Sequence, residues 1–277
     1  IALSEIKRSM IEDRFLEVTH GTGKFIHKGG SPTRANTMIR VLRALYNYAM
    51  GQYVDSREQP LILHNPTAII SHNKAWNREK PRVGVVKDYN LKGWYEGVMK
   101  LTEHEKNLIS ANSSEVARDV FIFILFTGMR RNEVLTLKWE DIDLKDNTFT
   151  VAKTKNHEGL KLPLTWILLE VLERRKNDNG NPYVFEGDKP NSHLSPPKKQ
   201  IEKARELVGF HFTNHDLRRT FSTTAHRLNF GKYTLDRLIN HKTEDSGDVT
   251  ARYVVLDVED LREPMTQITE SIWSQIQ

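Results

Sequence analysis

Clusters of cationic side chains precede one tyrosine in the second half of this chain. In chain order the set is Arg130, Lys155, His215, Arg218, His241 and Tyr253. A single arginine, histidine or tyrosine of this kind is more often structural than catalytic, so no member of the set is informative by itself. Their order and their residue types together are what predict a chemistry.

Such a set meets the requirements for cleaving a phosphodiester without a metal ion. The non-bridging oxygens gain negative charge at the transition state, and guanidinium groups match them with paired donors. The nucleophile must lose a proton and the departing 5′ oxygen must gain one, which histidine and lysine can mediate. A phenol with a pKa of about 10 becomes a nucleophile where cations favour its anion. The residues therefore predict DNA strand cleavage by Tyr253, with neither metal nor cofactor.

Four sequence segments resemble the conserved boxes of phage-type tyrosine recombinases. TGMRRNEVLTLKWEDI, from Thr127, is similar to the family's first box, and HDLRRTF, from His215, is similar to its second. LINHK followed by Tyr253 resembles the third box. TKNHEGLKLPL resembles the family's lysine hairpin, in which the lysine lies about eight positions before a proline, as Lys155 and Pro163 do here. The resemblance is strong from residue 101 onward and looser before it, where it implies a helical core-binding domain.

The resemblance implies roles at the scissile phosphate. Arg130 and Arg218 would clamp this group, and Glu133 would position Arg130. Tyr253 would attack the phosphorus, forming a 3′-phosphotyrosyl bond and freeing a 5′ hydroxyl. The covalent bond would conserve the bond energy, so that rejoining to a partner strand needs no ATP.

The remaining matched residues would move protons or bind the phosphate. Lys155 would act as the general acid toward the 5′ oxygen, and His215 would assist proton transfer at Tyr253. His241 would hydrogen-bond a phosphate oxygen. Tyr233 is the nearest other tyrosine, but it precedes His241 and is therefore out of order for the family's pattern.

Two features depart from the family's pattern. Asn240 stands where the family usually has glycine before the third-box histidine, so we expect it to adopt a left-handed backbone conformation, which asparagine tolerates. His241 and Tyr253 are 12 positions apart, against a commoner spacing of roughly nine in the family. The acidic stretch 244–248 is interpreted as the insertion, looping away from the phosphate.

The chemistry and the resemblance lead to one main hypothesis and two alternatives. The main hypothesis is a recombinase that integrates or excises a phage or other mobile element at paired short sites in double-stranded DNA. It would act as a homotetramer in the synapse, from a free protein that can be a monomer, with accessory DNA-bending or directionality factors. The alternatives are a type IB topoisomerase, which shares the chemistry without strand exchange, and a catalytically idle DNA-binding protein on the same scaffold.

The elements that must position these residues are predicted to be mainly helical, with one small antiparallel sheet, in the α+β class. Residues 115–126 are predicted to be a helix, whose apolar run from Val120 to Phe126 is typical of a buried helix and ends at Thr127 and Gly128. Residues 148–152 and 160–164 alternate with period two around a polar tip that holds Lys155, which predicts a hairpin. Ile268, Ile272 and Ile276 have helical spacing, which is compatible with docking of this tail on another subunit or on its own.

The first hundred residues hold all of the excess positive charge. They carry 16 Lys and Arg against 9 Asp and Glu, and no acidic residue occurs in residues 19–54. A helix is predicted after Ser31 and Pro32, with Ile39, Leu45 and Tyr46 among its buried residues and a polar front suited to the major groove. The residues predicted to contact DNA are Lys24, Lys28, Thr33, Arg34, Asn36, Arg40, Lys80 and Arg82.

Composition bounds the remaining choices. We expect a helical DNA-binding domain over residues 1–85, a linker or domain start over 86–100, and a catalytic domain over 101–277. The chain has no cysteine, which excludes disulfide scaffolds and thiolate zinc sites. No apolar run approaches the ~20 residues that span a bilayer. The expected location is the cytoplasm of a bacterial host.

Overall fold

The structure is a computed structural model that describes residues 2–22, 29–79, 83–103, 111–151, 159–176, 179–240 and 256–277. The chain divides into two compact units, Ile1–Arg82 and Val83–Gln277. The division lies close to the boundary expected at residue 85. A helix over Asp88–Met99 belongs to the second unit, so the stretch expected to be a linker or domain start is the beginning of that unit.

The first unit is helical. Its elements are a 3-10 turn at Leu3–Glu5 and the helices α1 (Arg8–His20), α2 (Pro32–Gln52) and α3 (Ala68–His72). α2 begins where the sequence predicts. The Ser31 hydroxyl accepts a hydrogen bond from the Arg34 amide at 3.3 Å, and Pro32 fills the first helical position, where a missing N–H removes no helical bond.

The core of the first unit lies between α1 and α2. Apolar side chains of the two helices and of α3 are buried there, namely Ile11, Phe15, Val18, Ala35, Ile39 and Ile70. The predicted stripe of α2 is wrong at Leu45, which is 52% exposed, whereas Tyr46 is buried and its hydroxyl donates to the Leu3 carbonyl at 2.6 Å. Adjacent helical residues point about 100° apart, so only one of the two can face α1.

The second unit is mainly helical, as predicted. Its helices are α4 (Asp88–Met99), α5 (Ala111–Thr127), α6 (Arg131–Leu135), α7 (Trp166–Arg175), α8 (Lys198–Val208), α9 (Asn214–Arg227), α10 (Lys232–Leu238) and α11 (Glu259–Trp273), with 3-10 turns at Lys100–Thr102 and Trp139–Asp141. α5 is the central helix, and its apolar residues from Val120 to Phe126 are fully buried. A helix that is apolar on every side is buried on every side, and α5 therefore forms the base on which α6, α7 and α9 pack.

The small sheet contains the predicted hairpin. β1 (Ile142–Asp143), β2 (Thr148–Val151) and β3 (Leu160–Pro163) pair antiparallel in that order. Phe149 faces Leu162 across the hairpin and both are buried, which fits the period-two pattern. β1 has only two residues, which is too short for a periodic signal.

α11 packs on its own unit. Ile268, Ile272 and Ile276 are buried against neighbouring elements of the same chain, as expected of a tail that packs on its own subunit. The Arg262 guanidinium donates to Asp146 Oδ1 at 2.7 Å, and Lys161 of β3 donates to Oδ2 at 2.6 Å. One carboxylate therefore ties the start of α11 to the sheet. None of the helices within the described ranges is long and apolar enough to cross a membrane.

Candidate active site

The turn between α5 and α6 presents Arg130. Gly128 ends α5 with a φ of 64°, in the left-handed region that favours glycine. A Cβ at this position would lie 2.5 Å from the Phe221 ring of α9. The glycine thus lets the chain reverse directly against α9, and Arg130 emerges one residue before α6 begins.

Glu133 holds Arg130 at both its backbone and its side chain. Glu133 Oε2 accepts from the Arg130 amide at 2.9 Å, and Oε1 accepts from Arg130 Nη1 at 3.0 Å. The Arg130 side chain is 47% exposed, whereas that of Glu133 is 12% exposed. The carboxylate therefore supports the guanidinium from the protein side and leaves its outer donors facing solvent.

The first turns of α9 present His215 and Arg218. Thr213 caps the helix, because its hydroxyl accepts from the Asp216 amide at 3.2 Å while Asp216 Oδ2 accepts from the Thr213 amide at 2.9 Å. Residues three apart share a helix face, so His215 and Arg218 point to the same side. The reciprocal cap fixes where the helix starts and hence where both side chains lie.

Main-chain carbonyls hold Arg218 in place. Arg218 Nη1 donates to the Gly128 carbonyl at 2.5 Å, and Nη2 donates to the Ile239 carbonyl at 2.7 Å. The residue is 8% exposed. Burial, and then the nearby charge of Arg130, lowers the pKa of Arg218 to about 10. The guanidinium stays protonated at neutral pH, and the nearness of Arg130 favours an anion between the two.

His215 lies in a cationic environment. Burial lowers the pKa of His215 below its ordinary value, with further lowering by the charges of Arg219 and Arg218. The imidazole is therefore neutral at pH 7 and can accept a proton. This is the protonation state that assistance to a tyrosine nucleophile requires.

The end of α10 contacts both arginines. Asn240 follows α10 with a φ of 50°, which confirms the left-handed conformation expected for it. Its carbonyl accepts from Arg130 Nη1 at 2.9 Å, and the preceding Ile239 carbonyl binds Arg218. A guanidinium has five N–H donors, so these contacts leave donors on each arginine for a phosphate.

Both arginines and His215 line one cleft of about 510 Å³. The other cations that line it are Arg131, Lys198 and Arg205. The described residues of its lining include no acidic side chain. Sequence reasoning missed Lys198 and Arg205, since one cation at a helix start and one inside a helix carry no signal of their own. In the described part of the chain, no three His, Asp or Glu side chains gather as metal ligands.

Several predicted residues cannot be placed. Lys155, His241 and Tyr253 lie outside the described residues. The same holds for the predicted DNA contacts Lys24, Lys28, Lys80 and Arg82. The structure therefore brings together Arg130, Glu133, His215 and Arg218 of the predicted site, and the roles of the others stay predictions.

The predicted DNA-facing side of α2 carries a second arginine cluster, in the first unit. Thr33 and Arg34 are exposed in the first turn of the helix. Arg40 forms an ion pair with Glu79 at 3.0 Å, and its guanidinium lies 5.7 Å from the centre of the Trp76 ring. Sequence reasoning left two residues of this cluster out of the site. Arg43 lies 5.3 Å from the same ring, and only the folding of residues 73–79 onto α2 brings Trp76 there.

The expectation that Asn36 faces DNA needs correction. Asn36 is 1% exposed, and its side-chain amide donates to the Asn77 carbonyl at 2.9 Å and to Glu79. Its carbonyl oxygen accepts from the Asn77 amide at 3.1 Å. A polar side chain with both ends bonded inside the unit fixes the segment at residues 77–79 against α2. It has no free edge to read a base.

Comparison with known proteins identifies a shared family pattern. The model of the phage integrase family matches residues 98–259, more than half of the chain. Prophage integrase IntF of Escherichia coli K12 is 27% identical over 158 residues, which are 55% of this chain and 31% of that protein. Tyrosine recombinase XerA of Pyrococcus furiosus is 28% identical over 162 residues, 55% of this chain and 56% of that protein. The matched stretch thus spans less than two thirds of either relative.

Solved structures share the fold. The XerH site-specific recombinase bound to palindromic difH substrate, in a post-cleavage complex, matches with a TM-score of 0.64 and 21% identity, over 99% of this chain and 74% of that chain. At this level of identity the match concerns architecture. It agrees with the mainly helical fold and the small antiparallel sheet described above.

Proposed function

This chain belongs to the phage integrase family, and we propose that it cuts and rejoins double-stranded DNA at specific sites. Cleavage proceeds through a 3′-phosphotyrosyl bond to Tyr253, and the freed 5′ hydroxyl of a partner strand reverses it. The biological outcome is integration or excision of a phage or other mobile element. The protein acts on DNA in the cytoplasm of its bacterial host.

The observation that supports this proposal best is the cleft shared by Arg130, Arg218 and His215. The two guanidinium groups line the same cleft, each is held from the protein side, and together they offer donors to one anionic phosphate. Donors fixed before the substrate arrives stabilise developing charge without reorganising during the reaction. The low exposure of Arg218 strengthens this effect, because buried charges are less screened by water.

Proton transfer is assigned to His215 and Lys155, and phosphate binding to His241. His215 is neutral at pH 7 and assists removal of the Tyr253 proton. Lys155 protonates the departing 5′ oxygen, and His241 donates a hydrogen bond to a phosphate oxygen. The phenolic oxygen replaces the 5′ oxygen on phosphorus, and the phenol loses one proton while the 5′ oxygen gains one.

DNA contact by the first unit is proposed for exposed residues of α2. Thr33, Arg34 and Arg40 are exposed on this helix, and Arg43 and Trp76 lie beside Arg40. Arginines supply both phosphate neutralisation and base-edge donors. Lys24, Lys28, Lys80 and Arg82 add further positive charge in the sequence. Strand exchange pairs two sites, and we propose a homotetramer for that step, formed from monomers on DNA with help from accessory factors.

A covalent trap tests this proposal and recovers the target site in the same experiment. Nicked duplexes carrying a randomised segment are mixed with the protein, so that a short cleaved fragment diffuses away and the phosphotyrosyl bond cannot be reversed. Denaturation and sequencing of the protein-linked DNA recover the site. We expect an adduct from the wild-type protein and from Tyr233→Phe, but none from Tyr253→Phe. An adduct that survives Tyr253→Phe would overturn the nucleophile assignment, and no adduct from any duplex would favour an idle DNA-binding protein.

A second assay separates recombination from simple strand relaxation. Supercoiled plasmids with and without the recovered site are incubated with the protein. A site-specific recombinase relaxes or recombines only the plasmid that carries the site. Equal relaxation of both plasmids would favour the type IB topoisomerase alternative.

A further inference from the structure

We propose that Asn240 is a positioning residue whose side chain holds the Arg130–Glu133 pair in place. This inference rests on the proposed function, because it concerns how the same site is held together. It starts from an asparagine in the left-handed region, whose carbonyl accepts from Arg130 and which directly follows Ile239, the residue whose carbonyl accepts from Arg218. A non-glycine residue with positive φ is uncommon and has to be accounted for.

The backbone alone does not account for asparagine at this position. Glycine adopts a φ of 50° with less strain than any residue that has a Cβ. The carbonyl that accepts from Arg130 Nη1 at 2.9 Å belongs to the main chain and would be present with any residue. What asparagine adds is its side chain.

That side chain closes a ring of hydrogen bonds. Asn240 Nδ2 donates to Glu133 Oε1 at 3.2 Å, and Arg130 Nη1 donates to the same oxygen at 3.0 Å. Arg130 Nη1 also donates to the Asn240 carbonyl, so each of the three residues contacts the other two. A carboxylate only accepts hydrogen bonds, which fixes the amide nitrogen as the group that faces Glu133.

The ring is shielded on its acidic side. The Glu133 side chain is 12% exposed, so little water competes for its oxygen. Hydrogen bonds to a charged group are roughly twice as strong as neutral ones. The Asn240 amide therefore supports the carboxylate that in turn holds the Arg130 guanidinium.

The chain supplies a matched control. Asn229 follows the end of α9 with a φ of 61°, and its side chain is exposed. Replacing either residue by glycine relieves the same backbone strain and adds the same freedom to the unfolded chain. The difference between Asn240→Gly and Asn229→Gly therefore reports the side-chain contact with Glu133.

The test measures single-turnover adduct formation on the recovered site at saturating protein. We expect Asn240→Gly to form the adduct about tenfold more slowly, which corresponds to loss of one charge-assisted hydrogen bond. Asn229→Gly should stay within about twofold of the wild-type rate. DNA binding, measured in a Tyr253→Phe background, should be the same in all three proteins. In a Glu133→Ala background, Asn240→Gly should have almost no further effect, because the partner of its amide is already absent.

Two results would overturn the proposal. One is an Asn240→Gly rate within about twofold of the wild type, and the other is that the Asn240 and Glu133 effects multiply. Denaturant unfolding of the wild type, Asn240→Gly, Glu133→Ala and the double variant, without DNA, gives an independent readout of the contact. If the two substitutions are coupled in their effect on the free energy of unfolding but the wild type forms no adduct, the proposed function is wrong and the contact between Asn240 and Glu133 stands. If the wild type forms the adduct but the two substitutions are not coupled in either the rate or the free energy of unfolding, only the Asn240 proposal is wrong.

Discussion

The two arginines of the cleft are held by different kinds of groups. Arg218 lies on the well-formed helix α9, is almost fully buried, and is bonded to two main-chain carbonyls. Arg130 precedes the short helix α6, is about half exposed, and depends on Glu133 as well as on a carbonyl. The position of Arg218 is therefore set by the path of the backbone, whereas that of Arg130 is set largely by the Glu133 side chain.

Lysine substitutions should separate the two arginines most strongly. Arg218→Lys should slow adduct formation at least about a hundredfold, because one ammonium cannot bridge the Gly128 and Ile239 carbonyls and still face a phosphate. Arg130→Lys should cost about tenfold, since an ammonium can still pair with Glu133. Arg227 lies on the same helix as Arg218 and forms an exposed ion pair with Asp88. Arg227→Lys is therefore the control and should leave the rate unchanged.

Equal losses for the two lysine variants would contradict this distinction. Thermal unfolding of each variant separates a folding defect from a catalytic one. A lower rate for Arg130→Lys than for Arg218→Lys would contradict it as well.

Gly128 provides one of the two carbonyls that hold Arg218, so the backbone at this turn matters for the site. Gly128→Ala should destabilise the second unit. An alanine there combines left-handed strain with a Cβ about 2.5 Å from the Phe221 ring. We expect the free energy of unfolding to fall by about 3 kcal/mol in denaturant titrations. Gly209→Ala at the end of α8, with a φ of 81° and no atom within 4 Å of its Cβ, should lose only about 1 kcal/mol. A loss at Gly128 no larger than that at Gly209 would show that the contact with α9 is not tight.

The acidic limb of the rate profile should report His215. Burial and the neighbouring arginines lower its pKa, so its neutral form persists below pH 6.5 and is lost as the pH falls through that lowered pKa. The second-order rate of adduct formation in the free protein should therefore decline with a midpoint below 6.5, about tenfold per pH unit beyond it. His215→Gln should be slower and should lack this limb. A limb that persists in that variant would assign the titration to another group.

Arg40 provides the smallest expected effect, in the first unit. Like Arg130 it is held by side chains, namely Glu79 and Trp76. Arg40→Ala should weaken DNA binding and reduce the slope of log affinity against log salt by about 1. Arg57→Ala, which removes the same charge from the exposed turn after α2, should leave the slope unchanged. Equal changes in the two variants would indicate long-range attraction rather than a contact.

Much of the fold could be predicted from local patterns. α5 and the β2–β3 hairpin follow from an apolar run and from a period of two, because each pattern is set by the same residues that form the element. The cap at Ser31 was predictable for the same reason. Leu45 and Asn36 were misjudged because distant segments decide which side of α2 is covered, and periodicity does not reveal them: Tyr46 rather than Leu45 meets Leu3, and residues 77–79 cover Asn36.

Sequence patterns predicted side chains of the site, but not the main-chain carbonyls that hold them. Arg130, Glu133, His215 and Arg218 have recognisable types and order, and the structure brings them together. The carbonyls of Gly128, Ile239 and Asn240 hold the arginines, but every residue has a carbonyl, so no residue type signals this role. The side-chain role of Asn240 depends on a contact 107 residues away along the chain.

Peptide mapping of the covalent adduct tests the central claim most directly. Trypsin cleavage after Arg252 and Arg262 releases the peptide YVVLDVEDLR, in which Tyr253 is the sole hydroxyl-bearing side chain. After nuclease digestion, mass spectrometry should find a nucleotide remnant on this peptide and on no other. A remnant on the peptide that begins at Tyr233, or on any peptide lacking Tyr253, would contradict the account.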